Sequence, residues 1–382
     1  MNVIVIGAGI VGVSVARELA TRGVQVTVLE RDAGGHRGST AFAPGFVGVY
    51  NDAPVLTDLA RASVEAYREM SAFATPGGLE LATTPDGSDA LAERVRAARA
   101  AGVQATIGDA RALPSFVDDR RVTAVARYDH DGVTTPGLLR AEIRTAAEAS
   151  GARVVTGAEV VEIRDDGGRW TVLSADGRAD TADQIVLAGG VWGPGLASLL
   201  GLDLPLFPVA HPYVYARADA PRVASGPFVR WPERHVYARA HGDTLGIGSY
   251  DHRPVTVGAA DLADGAGLSW NAAFDAPIAS AQQLLRPEAR FSPATRVNGV
   301  FAMTPDNLPF IGAVPGAPGA WVAQAVWVTH AGGTARMLTA AILDDLAVPT
   351  ELAVDRFRAE PAGRLEASAL RLYRDIYAND AA

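Results

Sequence analysis

The sequence of 382 residues contains neither cysteine nor lysine, so its permanently positive side chains are all arginines. The absence of cysteine excludes disulfides, thiol nucleophiles and cysteine–metal sites, and we predict no metal site. The absence of lysine excludes a Schiff-base lysine and the lysine of a P-loop. A carboxylate ligand that needs a cation would therefore be held by arginine, whose planar fork binds carboxylates through two hydrogen bonds.

Long apolar runs and an excess of positive charge are also missing. No run approaches the roughly 18 apolar residues of a membrane helix, so we expect no membrane span. The net charge of −9 disfavours phosphate backbones, so we expect no nucleic-acid partner. The first apolar run begins at Val3 and leaves no room for a signal peptide, which predicts a cytoplasmic protein. The length suits two closely packed domains.

A glycine-rich turn joins the first predicted strand to the first predicted helix. The apolar, β-branched run Asn2–Ile6 is followed directly by Gly7–Gly12, and a helical pattern then continues to Arg22. The next predicted strand ends at Glu30, close to the spacing of about 20 residues expected after such a turn. This context predicts a dinucleotide site in which Glu30 accepts hydrogen bonds from ribose hydroxyls. The negative charge of Glu30 would repel the extra phosphate of NADP, which argues against NADP as the ligand.

Each residue of the turn has a physical reason for its position. Gly7 permits the tight turn, Gly9 lets a pyrophosphate approach the backbone, and Gly12 lets the helix pack on the strand. Ile10 and Val11 lie in the turn and are also predicted to contact the cofactor, and the helix predicted over Val13–Arg22 offers phosphate its free N–H groups and dipole. The motif alone leaves FAD and NAD open, although its position at the extreme N-terminus favours FAD.

Beyond this opening, helical periodicity and apolar runs alternate before the pattern changes. The predicted helices include residues 55–73, 90–101, 135–150 and 331–345, and the predicted buried strands include 183–188 and 321–328. Between Leu204 and Ser249, aromatic residues, prolines and alternation replace helical periodicity, which predicts an antiparallel sheet. The predicted fold class is therefore α/β, with a Rossmann-type domain and an α+β domain that contains an antiparallel sheet.

Several segments, in order along the chain, carry a resemblance to a known family. Together with Glu30, the turn Gly7–Gly12 resembles the glycine oxidase, sarcosine oxidase and D-amino acid oxidase superfamily of FAD enzymes. Further segments are similar to the FAD domain of dimethylglycine oxidase: Gly38–Gly45, Pro208–Tyr213, His241–Pro254, Asn298–Asp306 and Ala325–Gly333. The resemblance implies FAD as the cofactor and a fold like that of D-amino acid oxidase.

Matching segments recur at both ends of the chain, which predicts two interleaved domains. The FAD-binding domain is expected to use residues 1–85, 130–205 and 295–382. The substrate domain is expected to use residues 86–129 and 206–294, with an antiparallel sheet that covers the flavin.

The resemblance implies a reaction in which a hydride passes from the carbon beside an amine nitrogen to flavin N5, and the imine formed is hydrolysed. The implied substrate is a small amine or a secondary or N-alkyl amino acid, with O2 as electron acceptor. A dehydrogenase that reduces a carrier and a flavin-binding subunit of a hetero-oligomer are the alternatives. His211 and Tyr250 match the superfamily's active-site histidine and tyrosine. From the residues alone, it stays open whether His211 is a core histidine and Tyr250 a packing aromatic.

The resemblance also implies which residues contact the flavin. Gly332, Gly333 and Thr334 are expected to begin a helix whose positive end faces the flavin N1–C2=O edge, where reduction places negative charge. The predicted cofactor residues beyond the turn are Glu30, Arg31, Ser39, Thr40, Phe42, Ala43, Gly45, Val160, Ala188, Gly189, Trp192, His330, Gly332, Gly333 and Thr334. The predicted ligands of a substrate carboxylate are Arg230, Arg239 and Arg253.

Attachment of the cofactor is predicted from one difference between this chain and its superfamily. Members of the dimethylglycine type link FAD covalently to a histidine just before an Ala-Pro-Gly sequence. Here that sequence is preceded by Phe42, which has no nucleophile. His36 lies six residues upstream, where contact with the pyrophosphate or with solvent is expected. We therefore predict non-covalent FAD.

Overall fold

The computed structural model describes residues 1–34, 37–108, 113–217, 226–374 and 376, so His36 lies outside the described residues. The helices in chain order are α1 (Ile10–Thr21), α2 (Ser39–Phe42), α3 (Pro54–Tyr67), α4 (Pro85–Ala100), α5 (Pro136–Ala149), α6 (Gly193–Ser198), α7 (Asp275–Gln282), α8 (Ala331–Asp344) and α9 (Ala362–Arg374). The strands are β1 (Asn2–Ile6), β2 (Gln25–Glu30), β3 (Phe46–Val47), β4 (Phe73–Ala74), β5 (Gly78–Ala82), β6 (Ala105–Ile107), β7 (Ala124–Tyr128), β8 (Gly132–Thr134), β9 (Arg153–Thr156), β10 (Val160–Asp165), β11 (Trp170–Ser174), β12 (Ala179–Ala182), β13 (Gln184–Leu187), β14 (Phe207–Tyr215), β15 (Phe228–Trp231), β16 (Val236–His241), β17 (Thr244–Ser249), β18 (Val255–Thr256), β19 (Thr295–Met303), β20 (Phe310–Ala313) and β21 (Ala320–Gln324).

The first sheet has the strand order β20-β21-β13-β1-β2-β9, and every pair is parallel except β20 with β21. β1 lies in its interior, which explains why Val3, Ile4, Val5 and Ile6 are all buried. α1 connects β1 to β2 and packs against α5 and α8. The predicted parallel sheet with its first βαβ unit is confirmed.

The second sheet has the order β18-β14-β17-β16-β15-β5-β7-β6, and β14 pairs also with β19. All its pairs are antiparallel except β15 with β5. The antiparallel sheet predicted between Leu204 and Ser249 is thus confirmed, as is the α/β class. β5 and β19, which belong to this sheet, lie within sequence ranges predicted for the FAD-binding domain; the domain boundaries themselves stay a prediction.

Two smaller antiparallel sheets, β10-β11-β12 and β3-β8-β4, complete the described strands. The C-terminal helix α9 lies on β14 and β19. It buries Leu365, Ala369 and Tyr373, which are spaced four residues apart and therefore share one face of the helix. Within the described residues, no helix is long and apolar enough to cross a membrane.

Helix α4 begins at Pro85, five residues earlier than the predicted start at residue 90. The Thr84 hydroxyl caps it by accepting a hydrogen bond from the Gly87 N–H group at 3.1 Å. Pro85 occupies the first turn, where a missing N–H group costs nothing. Proline, aspartate and glycine in this stretch resemble a turn, and the helix extends through them because its N-terminus is capped.

Candidate cofactor and active site

A cavity of about 530 Å³ extends along the carboxyl ends of β1, β2, β13 and β21. Ile6, Glu30 and Ala188 line it at this edge, which is where open parallel sheets bind ligands. The same cavity continues to the second sheet, where His211 of β14 and Phe301 of β19 form part of its wall. It therefore joins the predicted dinucleotide site to the predicted catalytic histidine.

The three glycines of the first turn differ in what requires them. Gly7 has φ +106°, and a Cβ there would lie 2.5 Å from the Ala188 carbonyl oxygen. A Cβ at Gly12 would overlap the carbonyl oxygen of Gly7, because α1 packs directly on the turn. A Cβ at Gly9 would meet only Thr40 Oγ1, at an ordinary 3.6 Å. The packing of the protein thus requires glycine at positions 7 and 12, whereas the absence of a side chain at Gly9 leaves space in the cavity wall.

The peptide of Ala8, inside the turn, is held from both sides. Glu30 Oε2 accepts a hydrogen bond from the Ala8 N–H group at 2.7 Å, and Oε1 accepts from the Asp32 N–H group at 2.9 Å. Arg140 donates from Nη1 to the Ala8 carbonyl oxygen at 2.8 Å. Each Glu30 oxygen keeps a second lone pair for a ligand. The Glu30 carboxylate is therefore positioned by the backbone and retains acceptor capacity.

Arg140 is a cavity residue that the sequence did not reveal. It lies on α5 and is 5% exposed. Burial, followed by the nearby charge of Arg144, lowers its pKa. Nothing in the sequence distinguishes it from the surface arginines, because its role depends on α5 packing against α1.

The residues around the N-terminus of α1 fit an anionic dinucleotide. Ser39 Oγ is buried in the cavity wall, with no hydrogen-bond partner among the described residues. Thr40 Oγ1 accepts from the Ile10 N–H group at 3.2 Å. The guanidinium of Arg31 lies 4.4 Å from the centre of the Trp192 ring. Free hydroxyl capacity, positive charge and a helix N-terminus together match the phosphates and rings of such a ligand.

The loop that contains the predicted isoalloxazine contacts has two differently placed parts. Phe42 and Ala43 line the cavity, and the Phe42 ring packs so tightly on Gly267 that a Cβ there would overlap it. Gly45 has φ +80°, and a Cβ at that position would overlap the Thr134 carbonyl oxygen. Gly45 thus attaches the loop to β8, outside the cavity wall.

Most of the predicted cofactor residues come together around this one cavity. Those in its wall are Gly7, Gly9, Ile10, Val11, Glu30, Arg31, Ser39, Thr40, Phe42, Ala43, Val160, Ala188, Gly189 and Trp192. Those outside its described wall are Gly12, Gly45, His330, Gly332, Gly333 and Thr334. The function of each stays a prediction, but the cluster agrees with a single elongated ligand.

The glycines at the start of α8 contact helix α3. The Gly332 N–H group donates to the Tyr67 hydroxyl at 3.0 Å, and the Gly333 N–H group donates to Ser63 Oγ at 2.8 Å. A Cβ at Gly333 would overlap the backbone of Leu59. Close packing of α3 and α8 therefore accounts for both glycines, and the predicted contact between this helix end and the flavin receives no support from their placement.

His211 lies in the cavity wall and is 4% exposed. Its ring centre lies 4.4 Å from that of Tyr250 and 4.8 Å from that of Phe301. Opposite His211 on β19 is Gly299, which has no side chain to lie beside the imidazole on that face of the sheet. Burial, followed by the charge of His252, holds the pKa of His211 well below its usual range. The imidazole is therefore neutral near pH 7.

Both ring nitrogens of His211 have tyrosine partners that the sequence did not reveal. Nδ1 lies 2.7 Å from the hydroxyl of Tyr373, and Nε2 is hydrogen-bonded to the hydroxyl of Tyr237. Tyr237 is on β16 and Tyr373 on α9. No local pattern predicts these pairs, because the first partner lies 162 residues and the second 26 residues away.

The three arginines predicted to bind a substrate carboxylate lie elsewhere. Arg230 Nη2 is 2.9 Å from Oε1 of buried Glu80. Arg239 is buried and donates to backbone carbonyl oxygens, including that of Gly45 at 2.8 Å. Arg253 is exposed. None of the three is in the described wall of the cavity, whose arginines are Arg31, Arg37 and Arg140.

Comparison with known proteins identifies the family. The model of a family described as FAD dependent oxidoreductase matches residues 2–341. The chain belongs to this family. FAD is therefore its cofactor. The described residues contain no group of three or more histidines and carboxylates arranged to hold a metal ion.

Individual members of the FAD-dependent oxidoreductase family match most of the chain at low identity. Dimethylglycine dehydrogenase from Rattus norvegicus is 26% identical over 366 residues, which cover 89% of this chain but 42% of that protein. Glycine oxidase from Geobacillus kaustophilus is 25% identical, with coverage of 93% and 94%. The chain thus spans less than half the length of the dimethylglycine dehydrogenase and nearly all of the glycine oxidase.

A solved structure has a fold similar to that of this chain. L-proline dehydrogenase from P. horikoshii superposes with a TM-score of 0.82 at 20% identity, over 94% of this chain and 97% of that one. At this identity the likeness concerns the fold alone. It confirms the predicted architecture, in which a parallel sheet is combined with a mostly antiparallel one.

Proposed function

We propose that this chain holds FAD without a covalent bond and oxidises the C–N bond of a secondary or N-substituted amino acid, giving an imine that hydrolyses. The observation that carries the proposal is the placement of His211. This buried, neutral imidazole lines the same cavity as the glycine-rich turn and Glu30. Relatives are named for dimethylglycine and glycine, both of them amino acids, which supports the substrate class.

Four features of the cavity would hold the cofactor. Gly9 and the N-terminus of α1 would receive the phosphates, Ser39 Oγ would donate to an oxygen of the cofactor, and Glu30 would accept from ribose hydroxyls. When bound, FAD supplies the acceptor for the hydride of the carbon next to the amine nitrogen. Phe42 offers no nucleophile to the cofactor, which supports non-covalent binding.

His211 and Tyr250 are proposed to handle the proton of the substrate amine. An ammonium group cannot release a hydride from its neighbouring carbon, so its proton must leave first, and a neutral acceptor nearby promotes this. His211 is neutral because it is buried, and Tyr250 packs against its ring. The two residues would orient the amine and accept its proton.

The wall next to His211 favours an amine that carries an apolar substituent. Phe301 and Trp327 both line the cavity, with ring centres 5.8 Å apart. Aromatic faces bind alkyl groups and attract the positive charge of an ammonium group before it loses its proton. We propose this aromatic wall, rather than Arg230, Arg239 or Arg253, as the determinant of substrate choice.

An anaerobic substrate panel tests the proposal. The purified protein with FAD is mixed with N-methyl amino acids, cyclic imino acids and the corresponding primary amino acids, and flavin absorbance is followed. We expect bleaching by an N-substituted member and little by its primary counterpart. Absence of bleaching by every amine would overturn the proposal. Peroxide formation on admission of air then distinguishes the proposed oxidase from a dehydrogenase, the second candidate.

A further inference from the structure

Tyr237, His211, Tyr373 and His252 form a continuous hydrogen-bonded chain that reaches the cavity wall at His211. The Tyr373 hydroxyl lies 2.7 Å from His211 Nδ1 and 2.9 Å from His252 Nε2. His252 Nδ1 lies 2.9 Å from the backbone carbonyl oxygen of Arg253. At the other end, the Tyr237 hydroxyl bonds His211 Nε2. All four side chains are buried.

The direction of each hydrogen bond follows from the partners at the outer end. A carbonyl oxygen can only accept, so His252 Nδ1 carries a proton and Nε2 of the neutral ring accepts. Tyr373 has a single hydroxyl proton, and its remaining neighbours at that end, His252 Nε2 and the Ala210 carbonyl oxygen at 3.1 Å, are both acceptors. If His211 Nδ1 were an acceptor as well, three acceptors would compete for one proton. The arrangement that satisfies more of these groups has the hydroxyl proton on one of the other two and His211 Nδ1–H donating to the Tyr373 oxygen.

The tautomer of His211 is thereby fixed. Nδ1 carries the proton and donates to Tyr373, so Nε2 of the neutral ring accepts from the Tyr237 hydroxyl. Burial, followed by the charge of His252, keeps the pKa of His211 low, in agreement with a neutral ring. With the Tyr373 hydroxyl aimed at His252, every bond donates in the same direction, from Tyr237 toward the Arg253 carbonyl.

We propose that Tyr373 is a positioning residue that fixes the tautomer of His211, and that Tyr373 and His252 conduct protons between His211 and the protein surface. The proposal rests on the proposed amine oxidation, which releases a proton from the substrate ammonium. His211 Nε2 receives the hydroxyl proton of Tyr237, Tyr237 regains a proton from the substrate side, and His211 loses its Nδ1 proton to the Tyr373 oxygen. The Tyr373 hydroxyl proton passes to His252 Nε2, and His252 releases its Nδ1 proton to water.

The surroundings of the outer end suit proton release. His252 is 7% exposed, and although burial lowers its pKa, the Arg253 carbonyl and the Asp251 carboxylate raise it again. Asp251 lies 3.7 Å from Arg374 of α9, and Arg253 is exposed. A proton that arrives at His252 is thus next to an acid and near solvent.

The inner end is surrounded mainly by neutral rings. Tyr250 packs on His211 from the end of β17, and Phe301 packs on it from β19. A separate pair, Tyr213 and His241, with 2.9 Å between the hydroxyl and Nε2, occupies the neighbouring part of the second sheet. Burial, followed by the charge of Arg239, lowers the pKa of His241 to about 3. That pair offers a control, because it is also a tyrosine–histidine hydrogen bond and is partly buried.

The first arm of the test reads the tautomer directly. Ring nitrogen and proton shifts of the histidines are recorded by NMR on the FAD-free full chain and on Tyr373→Phe and Tyr213→Phe. We expect His211 to carry its proton on Nδ1 in the wild type and in Tyr213→Phe, and to lose that state in Tyr373→Phe. An unchanged Nδ1–H state in Tyr373→Phe would overturn the positioning role.

The second arm measures anaerobic flavin reduction against pH in the FAD-loaded variants, with FAD content and circular dichroism matched first. Tyr373→Phe and His252→Gln are both expected to lower the rate on the order of 10- to 100-fold, with a changed solvent deuterium effect. Tyr213→Phe should retain the wild-type profile. Wild-type rates in His252→Gln over the whole pH range would overturn proton conduction. A wild type that no amine reduces would instead refute the proposed function, and the NMR result would stand.

Discussion

Comparison of Gly9→Ala with Gly12→Ala separates a glycine that the ligand requires, Gly9, from one that the fold requires, Gly12. Gly9 precedes α1 with φ −66° and ψ 179°, a conformation open to alanine. An added Cβ would meet only Thr40 Oγ1, at 3.6 Å. In Gly12→Ala the added Cβ would instead overlap the Gly7 carbonyl oxygen. The two substitutions are chemically identical, and they differ only in what the new methyl group meets.

The expected magnitudes follow from these contacts. In Gly9→Ala the reduced freedom of the unfolded chain stabilises by about 0.4–1 kcal/mol, and poorer capping by alanine offsets it, so the FAD-free protein changes by less than about 1 kcal/mol. A methyl group forced against a phosphate costs about 1–3 kcal/mol, which weakens FAD binding roughly 5- to 150-fold. Gly12→Ala should destabilise the FAD-free protein by about 3 kcal/mol or more.

Two assays on each variant check this contrast. Denaturant unfolding of the FAD-free protein gives the free energy of unfolding, and titration with FAD, followed by flavin fluorescence, gives Kd. Gly137→Ala is the control, since nothing lies within 4 Å of a Cβ there, and it should change neither quantity by much. Wild-type FAD affinity in Gly9→Ala would refute the assignment of this turn to the phosphates. Strong destabilisation of its FAD-free form would refute the reading of the contacts.

Three further predictions concern catalysis, attachment and pH. His211→Asn and Tyr250→Phe should each slow flavin reduction on the order of 10²–10⁴-fold in stopped-flow without loss of FAD, and wild-type rates in both would contradict their roles. Because Phe42 has no nucleophile, acid precipitation should leave the flavin in the supernatant; a yellow pellet would show a covalent bond. Burial raises the pKa of Asp131 to about 7 from 3.8, and the charge of Arg230 only partly offsets this, so the folded protein should lose stability as pH rises from about 4 to about 7 and lose no more above that. Asp131→Asn should remove at most about 3 kcal/mol of the loss between about pH 5 and about pH 8, read from denaturant midpoints, and an unchanged pH dependence would be the contrary result.

The cofactor half of the site was predictable because its determinants are local. Gly7, Gly9, Gly12 and Glu30 lie within one βαβ unit, where strand, turn and helix follow one another directly. Their spacing in the sequence follows from the geometry of the turn. In the structure the Glu30 carboxylate accepts a hydrogen bond from the Ala8 N–H group. The parallel and antiparallel sheets were predictable for a similar reason, since period and apolar runs are properties of single segments.

The substrate half depends on contacts between distant segments, which composition and spacing do not encode. Arg230 appeared suited to a carboxylate ligand, but Glu80, 150 residues earlier, pairs with it in the fold. The glycine pair Gly332 and Gly333 appeared suited to a flavin contact, but its N–H groups bond to α3. Tyr373 appeared only as one position of an amphipathic helix. Its hydrogen bond with His211 exists because α9 lies on β14.

The central claim is that one cavity holds FAD at the glycine-rich turn and presents an amine to His211. The most direct measurement is anaerobic reduction of the bound flavin by a single turnover of an N-alkyl amino acid, in the wild type and in His211→Asn with equal FAD content. We expect rapid bleaching in the wild type and bleaching slower by a factor of about 10² or more in the variant. Equal rates in the two proteins, or no bleaching by any amine in the wild type, would contradict it.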